Sequence, residues 1–305
     1  MIQPVGSALA SLRDDIGERD MPELAISRDA RRLTGDEVKR FHDVGYVKNL
    51  PLLDDASVKK LQADFISLID MVPDDVDIYR VNNWHKANRW FHDLAHTSAI
   101  LDYVQDLLGG DFVHWGGAFF IKFPHDESTV PWHQDAKYWP LEPRTTVTVW
   151  LAVFDSDREN GCMRVIPGSH RWGDLTHEEI SDSPDWHDRS EVKAKGKGKY
   201  VLWQRVDPKQ FSEDDAADID LSAGEISLHD DDLIHGSTGN PSDRMRAGIT
   251  LRYSPPNVKC DLSVWPNFEV YPARGVDRYH HNPIGKVPTE NAYPTSFNQN
   301  SDEFE

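Results

Sequence analysis

The sequence predicts an all-β core with a helical wrapping: helix-periodic segments come first, short β-rich segments follow, and the two kinds do not alternate as βαβ units would. About thirty polar residues with little pattern precede Thr34-Gly35-Asp36-Glu37, an N-terminal capping sequence ahead of Val38, Phe41 and His42. A second helix is expected from Asp54-Asp55-Ala56, with Val58, Leu61, Phe65 and Leu68 at helical spacing. A third runs from Ser98 through Leu108 and stops at Gly109-Gly110, which can turn the chain without steric cost. The β-rich segments are Ala118–Phe123, Thr145–Phe154, Met163–Ile166, Glu225–Leu228 and Ala247–Tyr253, bounded by Gly, Pro, Asn or Asp. Between His170 and Gly224 lies a long stretch with Trp172, Trp186 and Trp203, a lysine-glycine run at 193–199 and an acidic run at 212–220. Loops of that length tend to be lids or binding loops. With no internal repeat and no clear linker, one domain is expected.

The 305 residues, 38% apolar and 28% charged, suffice for one large core or two modest ones and fit neither disorder nor a coiled coil. With 33 basic against 52 acidic residues the formal charge is −19, which repels phosphate backbones and anionic lipid, so neither nucleic acid nor membrane is an expected partner. Cys162 and Cys260 make neither a disulfide framework nor a zinc cluster and suit a reducing compartment. The start, MIQPVGSALASLRDD, has no basic region followed by an apolar core, and no stretch approaches the ~20 apolar residues of a membrane span. A cytoplasmic location is therefore expected; the oligomeric state is not legible. The fourteen histidines decide nothing by their number, since most histidines do no chemistry.

The segment Pro131-Trp132-His133-Gln134-Asp135 contains His-x-Asp, two of the three ligands of a 2-His-1-carboxylate site, which binds Fe(II) on one face and leaves the other open. Alone the pattern carries little, because a second His-x-Asp stands at His229-Asp230-Asp231. Context comes from the turn Asn160-Gly161-Cys162-Met163-Arg164-Val165-Ile166-Pro167-Gly168-Ser169-His170 and from His235-Gly236-Ser237-Thr238-Gly239-Asn240-Pro241-Ser242-Asp243-Arg244-Met245-Arg246, immediately before a predicted strand. Together these three ordered segments resemble the phytanoyl-CoA dioxygenase family of Fe(II)- and 2-oxoglutarate-dependent oxygenases. The resemblance covers roughly residues 34 to 255, including the Gly45-Tyr46-Val47 turn from the first helix into a strand.

The resemblance implies a double-stranded β-helix, a cupin-like jelly roll of two antiparallel sheets with N-terminal helices packed on the larger one and the iron at the barrel mouth. It implies His133, Asp135 and His235 as the catalytic metal ligands, Fe(II) as the metal, 2-oxoglutarate as cosubstrate and O2 as oxidant. Arg246 falls where the family places the arginine that pairs with the distal carboxylate of 2-oxoglutarate. A guanidinium suits that role, because its fork holds a carboxylate through two parallel charge-assisted hydrogen bonds. Ser237, Trp150 and Gln134 stand where family members often touch 2-oxoglutarate. On the residues alone His229 competes with His235 and Arg244 with Arg246; the His-Gly-Ser context favours His235, and the family spacing from it selects Arg246. The implied reaction is hydroxylation of an unactivated C–H bond, with 2-oxoglutarate converted to succinate and CO2. Related radical halogenases have Gly or Ala in place of the carboxylate, so Asp135 points to hydroxylation.

The expected substrate is a small, polar organic molecule. Wall candidates are Lys122, Tyr138 and Trp139, with Arg80, Asn82, Asn83 and Trp84; this set of cations, amides and aromatics suits a zwitterion or a molecule with a carboxylate or phosphonate. A CoA ester would call for basic residues near its phosphates, and the one dense cluster is the lysine-glycine run. The expected organisation is an extension at 1–33, the oxygenase domain at 34–275 with a lid-like insertion at 171–224, and a tail at 276–305. Two other classes stay in view: a non-catalytic jelly-roll protein that binds metal or 2-oxoglutarate, and a redox-neutral divalent-metal hydrolase or isomerase. Turnover without oxygen would mark the latter.

Overall fold

In the structure, a computed structural model, residues 26–27, 29–73, 76, 78, 81–180, 202 and 204–295 are described. Arg80, Trp186, Trp203 and the lysine-glycine run at 193–199 lie outside the described residues. Helix α1 (Gly35–Val44) begins at a capping box: the Thr34 hydroxyl accepts the Glu37 N–H at 3.2 Å, and the Glu37 carboxylate accepts the Thr34 N–H at 2.7 Å. It ends at Gly45, whose φ of 87° and close approach to His170 and Leu233 leave no room for a side chain. Helix α2 (Asp55–Asp70) is capped by Asp54, and α4 (Ser98–Leu108) stops at Gly109, as the spacing predicts. Between them α3 (Arg89–Ala95), capped by Asn88, is an element that the apolar periodicity does not announce.

The described residues hold fourteen strands, the first between α1 and α2 and the rest after α4: β1 (Tyr46–Pro51), β2 (Phe112–Lys122), β3 (Val130–His133), β4 (Leu141–Glu142), β5 (Val147–Ala152), β6 (Met163–Val165), β7 (His177–Glu179), β8 (Gln204–Val206), β9 (Ala217–Ile219), β10 (Glu225–Asp230), β11 (His235–Ser237), β12 (Arg246–Ser254), β13 (Lys259–Cys260) and β14 (Tyr271–Arg274). They form a six-stranded sheet in the order β1-β10-β5-β12-β2-β14 and a four-stranded sheet in the order β3-β11-β6-β9, antiparallel throughout, with β4·β13 and β7·β8 as small ribbons. This is the jelly roll expected from the resemblance, and the helices cover the outer face of the larger sheet.

Strand alternation sorts the two faces of that sheet. On β12, Ala247, Ile249, Leu251 and Tyr253 join Leu61, Phe65, Phe91, Ile100 and Val104 in the main core, while Arg246, Thr250 and Arg252 line a cavity between the sheets. Phe119 on β2 is the centre of the helix-facing side, edge-on to Phe65 at 5.3 Å and to Phe91 at 5.4 Å. Each such buried side chain stabilises the fold by about 2 kcal/mol. Trp84, a wall candidate by composition, sits in this core 4.7 Å from Phe119 and donates its indole N–H to Val81 O. Asn82 is exposed and Asn83 buried outside the cavity lining.

Part of the acidic run is structural. Ala217–Ile219 pairs with Met163–Val165 as the edge of the smaller sheet, and Asp218 accepts from Arg158 and Arg164. The end of the 171–224 stretch therefore belongs to the barrel itself. Beyond residue 275 the chain returns to the helices: Asn291 Oδ1 accepts the Trp90 N–H at 2.8 Å.

Four of the histidines meet away from the cavity, under α3 and β14. His92 and His96 stack at 4.1 Å, His85 and His114 lie 4.6 Å apart, and Tyr271 packs edge-on to His85 and His92. Burial pushes all four imidazoles down, His92 to about 4, so they are neutral in the fold at pH 7. The unfolded chain takes up these protons near pH 6.5 while the fold resists. Stability is therefore full above pH 6.5 and falls as pH drops towards 4. Thermal unfolding across this range should show the decline, and His92→Gln should make the slope shallower by up to one proton; an unchanged slope would contradict the assignment.

Candidate metal centre

His133 ends β3 and His235 begins β11, and the two are direct cross-strand partners, which brings their rings to 4.1 Å. Asp135 opens the short turn Asp135–Lys137, anchored where Ala136 N–H donates to Asp231 O at 2.9 Å. One ligand atom from each of the three lies within 4.8 Å of the others. Both imidazoles are oriented alike: His133 Nδ1 bonds Pro131 O at 2.8 Å and His235 Nδ1 bonds Leu233 O at 2.9 Å. A carbonyl only accepts, so Nδ1 carries the proton and Nε2 presents its lone pair to the cavity.

Burial, then the neighbouring His133, pushes His235 down to about 3, so it is neutral. Burial alone would push the Asp135 carboxyl up, but its closeness to the His133 imidazole, then to His235 and Arg252, outweighs this and holds the group well below the usual carboxylate range. Two Nε2 lone pairs and a carboxylate oxygen thus face one another: Asp135 Oδ1 is 3.3 Å from His133 Nε2 and 3.8 Å from His235 Nε2. Three converging acceptors with no donor between them are satisfied by a cation. Nitrogen and oxygen donors in a 2-His-1-carboxylate set suit Fe(II), so these residues fit the metal that the resemblance implies.

The cavity at this triad is also lined by Phe120, Val130, Thr148, Trp150, Met163, His229, Ser237, Arg246, Thr250 and Arg252. Arg246 is buried with its guanidinium 5.0 Å from the Trp150 ring centroid. Gly248 makes that stacking available, because a Cβ there would come within 2.0 Å of the indole. Gly248→Ala should thus displace Trp150, cost about 1–3 kcal/mol of stability as overpacking does, and weaken any ligand that Arg246 holds. Thermal unfolding and 2-oxoglutarate affinity check this; wild-type values for both would contradict it. Arg244, by contrast, is exposed and pairs with Asp157 at 2.8 Å and Glu159 at 3.4 Å.

Of the remaining sequence candidates, Ser237 and Trp150 line the cavity and Gln134, Lys122, Tyr138 and Trp139 do not. The Gln134 amide turns away from the triad and donates to Asp232 O at 2.8 Å and Gly173 O at 3.2 Å. Lys122, cross-strand from Arg246, is buried and spends its ammonium on Ser128 O at 2.9 Å and Thr238 O; burial, then the charge of Arg246, pushes it down to about 7. Tyr138 packs on His133 at 5.9 Å and donates to Gln204 O. Trp139 acts through another side chain, stacking 5.1 Å from the Arg252 guanidinium. Residue-type reasoning overlooked Arg252, Thr148 and Thr250. The signal was present, since a period of two from Arg246 along the predicted strand puts Thr250 and Arg252 on the same face. His229 is in the cavity, 5.1 Å from His235, but outside the converging ligand set.

A family model described as phytanoyl-CoA dioxygenase matches residues 41–248. Among curated proteins, the phytanoyl-CoA dioxygenase domain-containing protein 1 homolog of Dictyostelium discoideum is 26% identical over 221 residues, covering 72% of this chain and 68% of its own. The L-proline trans-4-hydroxylase of Streptomyces griseoviridis is 27% identical over 233 residues, covering 72% of this chain and 85% of its own. Among solved structures, the apo form of the non-heme monooxygenase ThoJ superposes with a TM-score of 0.66 at 26% identity, over 84% of this chain and 90% of that one.

Proposed function

The chain belongs to the phytanoyl-CoA dioxygenase family of Fe(II)- and 2-oxoglutarate-dependent oxygenases, and we propose that it hydroxylates an unactivated C–H bond of a small polar molecule. The observation that carries this reading is the convergence of two Nε2 lone pairs and the Asp135 carboxylate in a cavity that a buried arginine, Arg246, also lines. Bound Fe(II), with 2-oxoglutarate and O2, supplies the oxidising power: substrate, 2-oxoglutarate and O2 become hydroxylated substrate, succinate and CO2.

The protein's own residues do the rest. His133, Asp135 and His235 would hold the metal, with their orientation set by the carbonyls of Pro131 and Leu233. Arg246, fixed over Trp150, would pair with the far carboxylate of 2-oxoglutarate. Ser237 Oγ, buried without a hydrogen-bond partner, offers a further contact on the same wall. Phe120, Val130 and Met163 exclude water around the reacting groups. We take 34–275 as the oxygenase domain, flanked by the 1–33 extension and the tail from 276. That the L-proline trans-4-hydroxylase is similar over most of its length supports a small-molecule substrate.

A substrate panel tests the proposal: with Fe(II) and 2-oxoglutarate, a true substrate stimulates succinate formation and gains one oxygen atom by mass spectrometry. Conversion of a substrate that proceeds equally without O2 would contradict it and favour a redox-neutral enzyme.

A further inference from the structure

At the far end of the cavity from Arg246, three polar side chains stand in one row across the larger sheet. His229 pairs with Thr148, and Thr148 pairs with Arg252, on adjacent strands β10, β5 and β12. Directly opposite residues on one face have their Cβ atoms about 5 Å apart, so the three side chains are immediate neighbours. All three line the cavity, and each carries a buried polar atom without a hydrogen-bond partner: His229 Nδ1, Thr148 Oγ1 and Arg252 Nε. His229 and Thr148 are 2% and 0% exposed, so these atoms face the cavity and not the outer surface. Buried polar atoms in native folds are almost always paired, and three orphans in a row facing one cavity point to a ligand that pairs them.

Arg252 sets the charge of that ligand. Its guanidinium lies 5.1 Å from the Trp139 ring centroid and 6.0 Å from that of Trp115, with both rings on one side of it, and this aromatic contact uses up none of its N–H groups. Among the described residues no carboxylate lies within ion-pair distance of it. The nearest acid in its field is Asp135, whose oxygen already faces the two metal-centre imidazoles. An in-plane fork without a carboxylate is the half of a bidentate pair that recognises one. The far carboxylate of a 2-oxoglutarate held at Arg246 is not the group that Arg252 takes, because the two arginines are six residues apart on one extended strand, ~20 Å between backbones at about 3.3 Å per residue.

We propose that Arg252, with Thr148 and His229, forms a subsite for a carboxylate group of the primary substrate, which would place the rest of that molecule beside the metal centre. This names the substrate class of the oxygenase reading and rests on it. Trp139 and Trp115 are then positioning residues that hold the guanidinium at the cavity wall.

The test uses the full-length Fe(II)-loaded protein under argon, with binding followed by calorimetry. First, 2-oxoglutarate is titrated; if it does not bind, the oxygenase reading fails and this proposal with it. With 2-oxoglutarate saturating, matched pairs of a carboxylic acid and its primary amide are titrated, drawn from amino acids, hydroxy acids and medium-chain fatty acids. At least one acid should bind about tenfold or more tighter than its amide, the loss expected for a charge-assisted pair. Arg252→Gln should remove that preference, Arg252→Lys keep part of it, and Thr148→Val weaken the acid without touching the charge, all with 2-oxoglutarate affinity unchanged. Acids that bind no better than amides, or a preference that survives Arg252→Gln, would overturn the subsite while leaving the oxygenase reading intact. Loss of 2-oxoglutarate binding in Arg252→Gln or Arg252→Lys would overturn it too, by making Arg252 a cosubstrate residue.

Discussion

His235→Ala should abolish Fe(II)-dependent consumption of 2-oxoglutarate, with a drop of about 1000-fold or more. The metal's contribution is worth several kcal/mol, and each 1.4 kcal/mol is a factor of ten. The substitution removes one of three acceptors and leaves His133 and Asp135 as an incomplete pair, so Fe(II) affinity should fall with turnover. His229 does not rescue it. Although 5.1 Å from His235, its ring belongs to the wall of the cavity and not to the ligand cluster. Titration of Fe(II) into the variant, beside turnover, separates metal loss from misfolding. Wild-type Fe(II) affinity in His235→Ala would contradict the assignment and return the choice to His229.

Arg246→Ala should raise the apparent KM for 2-oxoglutarate by about 100-fold, the loss expected when a buried carboxylate forfeits a bidentate charge-assisted pair. Fe(II) binding should stay at the wild-type level, because Arg246 lies outside the converging ligand set. Arg244→Ala is the control. Its guanidinium is exposed and engaged with Asp157 and Glu159, so its removal should leave the KM unchanged. The two arginines are close in sequence, and strand alternation alone would allow either to turn inward. In the structure the strand starts at Arg246, and only from there does alternation apply. Steady-state kinetics over a range of 2-oxoglutarate concentrations reads the difference, and a large effect of Arg244→Ala with none of Arg246→Ala would reverse the assignment.

The parts of the site that were legible from sequence are those carried by local spacing. His133, Asp135 and His235 stand in short motifs, and the motifs located them where periodicity did not, because β3 and β11 have only 4 and 3 residues. Gln134 shows the converse. It stands between two ligands in extended backbone, where successive side chains point to opposite faces, so it turns to the carbonyls of Gly173 and Asp232. Trp84 and Trp139 were both assigned to the wall by residue type; one is core and the other supports an arginine, a distinction that only packing makes. Arg252 was readable by counting twos along its strand. Its unpaired edge was not, because that depends on Trp115, Trp139 and Asp135 from three other segments. The cluster of His85, His92, His96 and His114 has no local signature beyond the helical spacing of its stacked pair, and the fold assembles the rest.

Basal turnover under isotopically labelled oxygen tests the central claim most directly, since it needs no knowledge of the primary substrate. With Fe(II), 2-oxoglutarate and 18O2, the wild-type protein should form succinate carrying one labelled oxygen atom, and His133→Ala should form none above background. Unlabelled succinate, or labelled succinate formed equally by His133→Ala, would contradict the account that the His133, Asp135 and His235 cluster is the oxygen-activating metal centre.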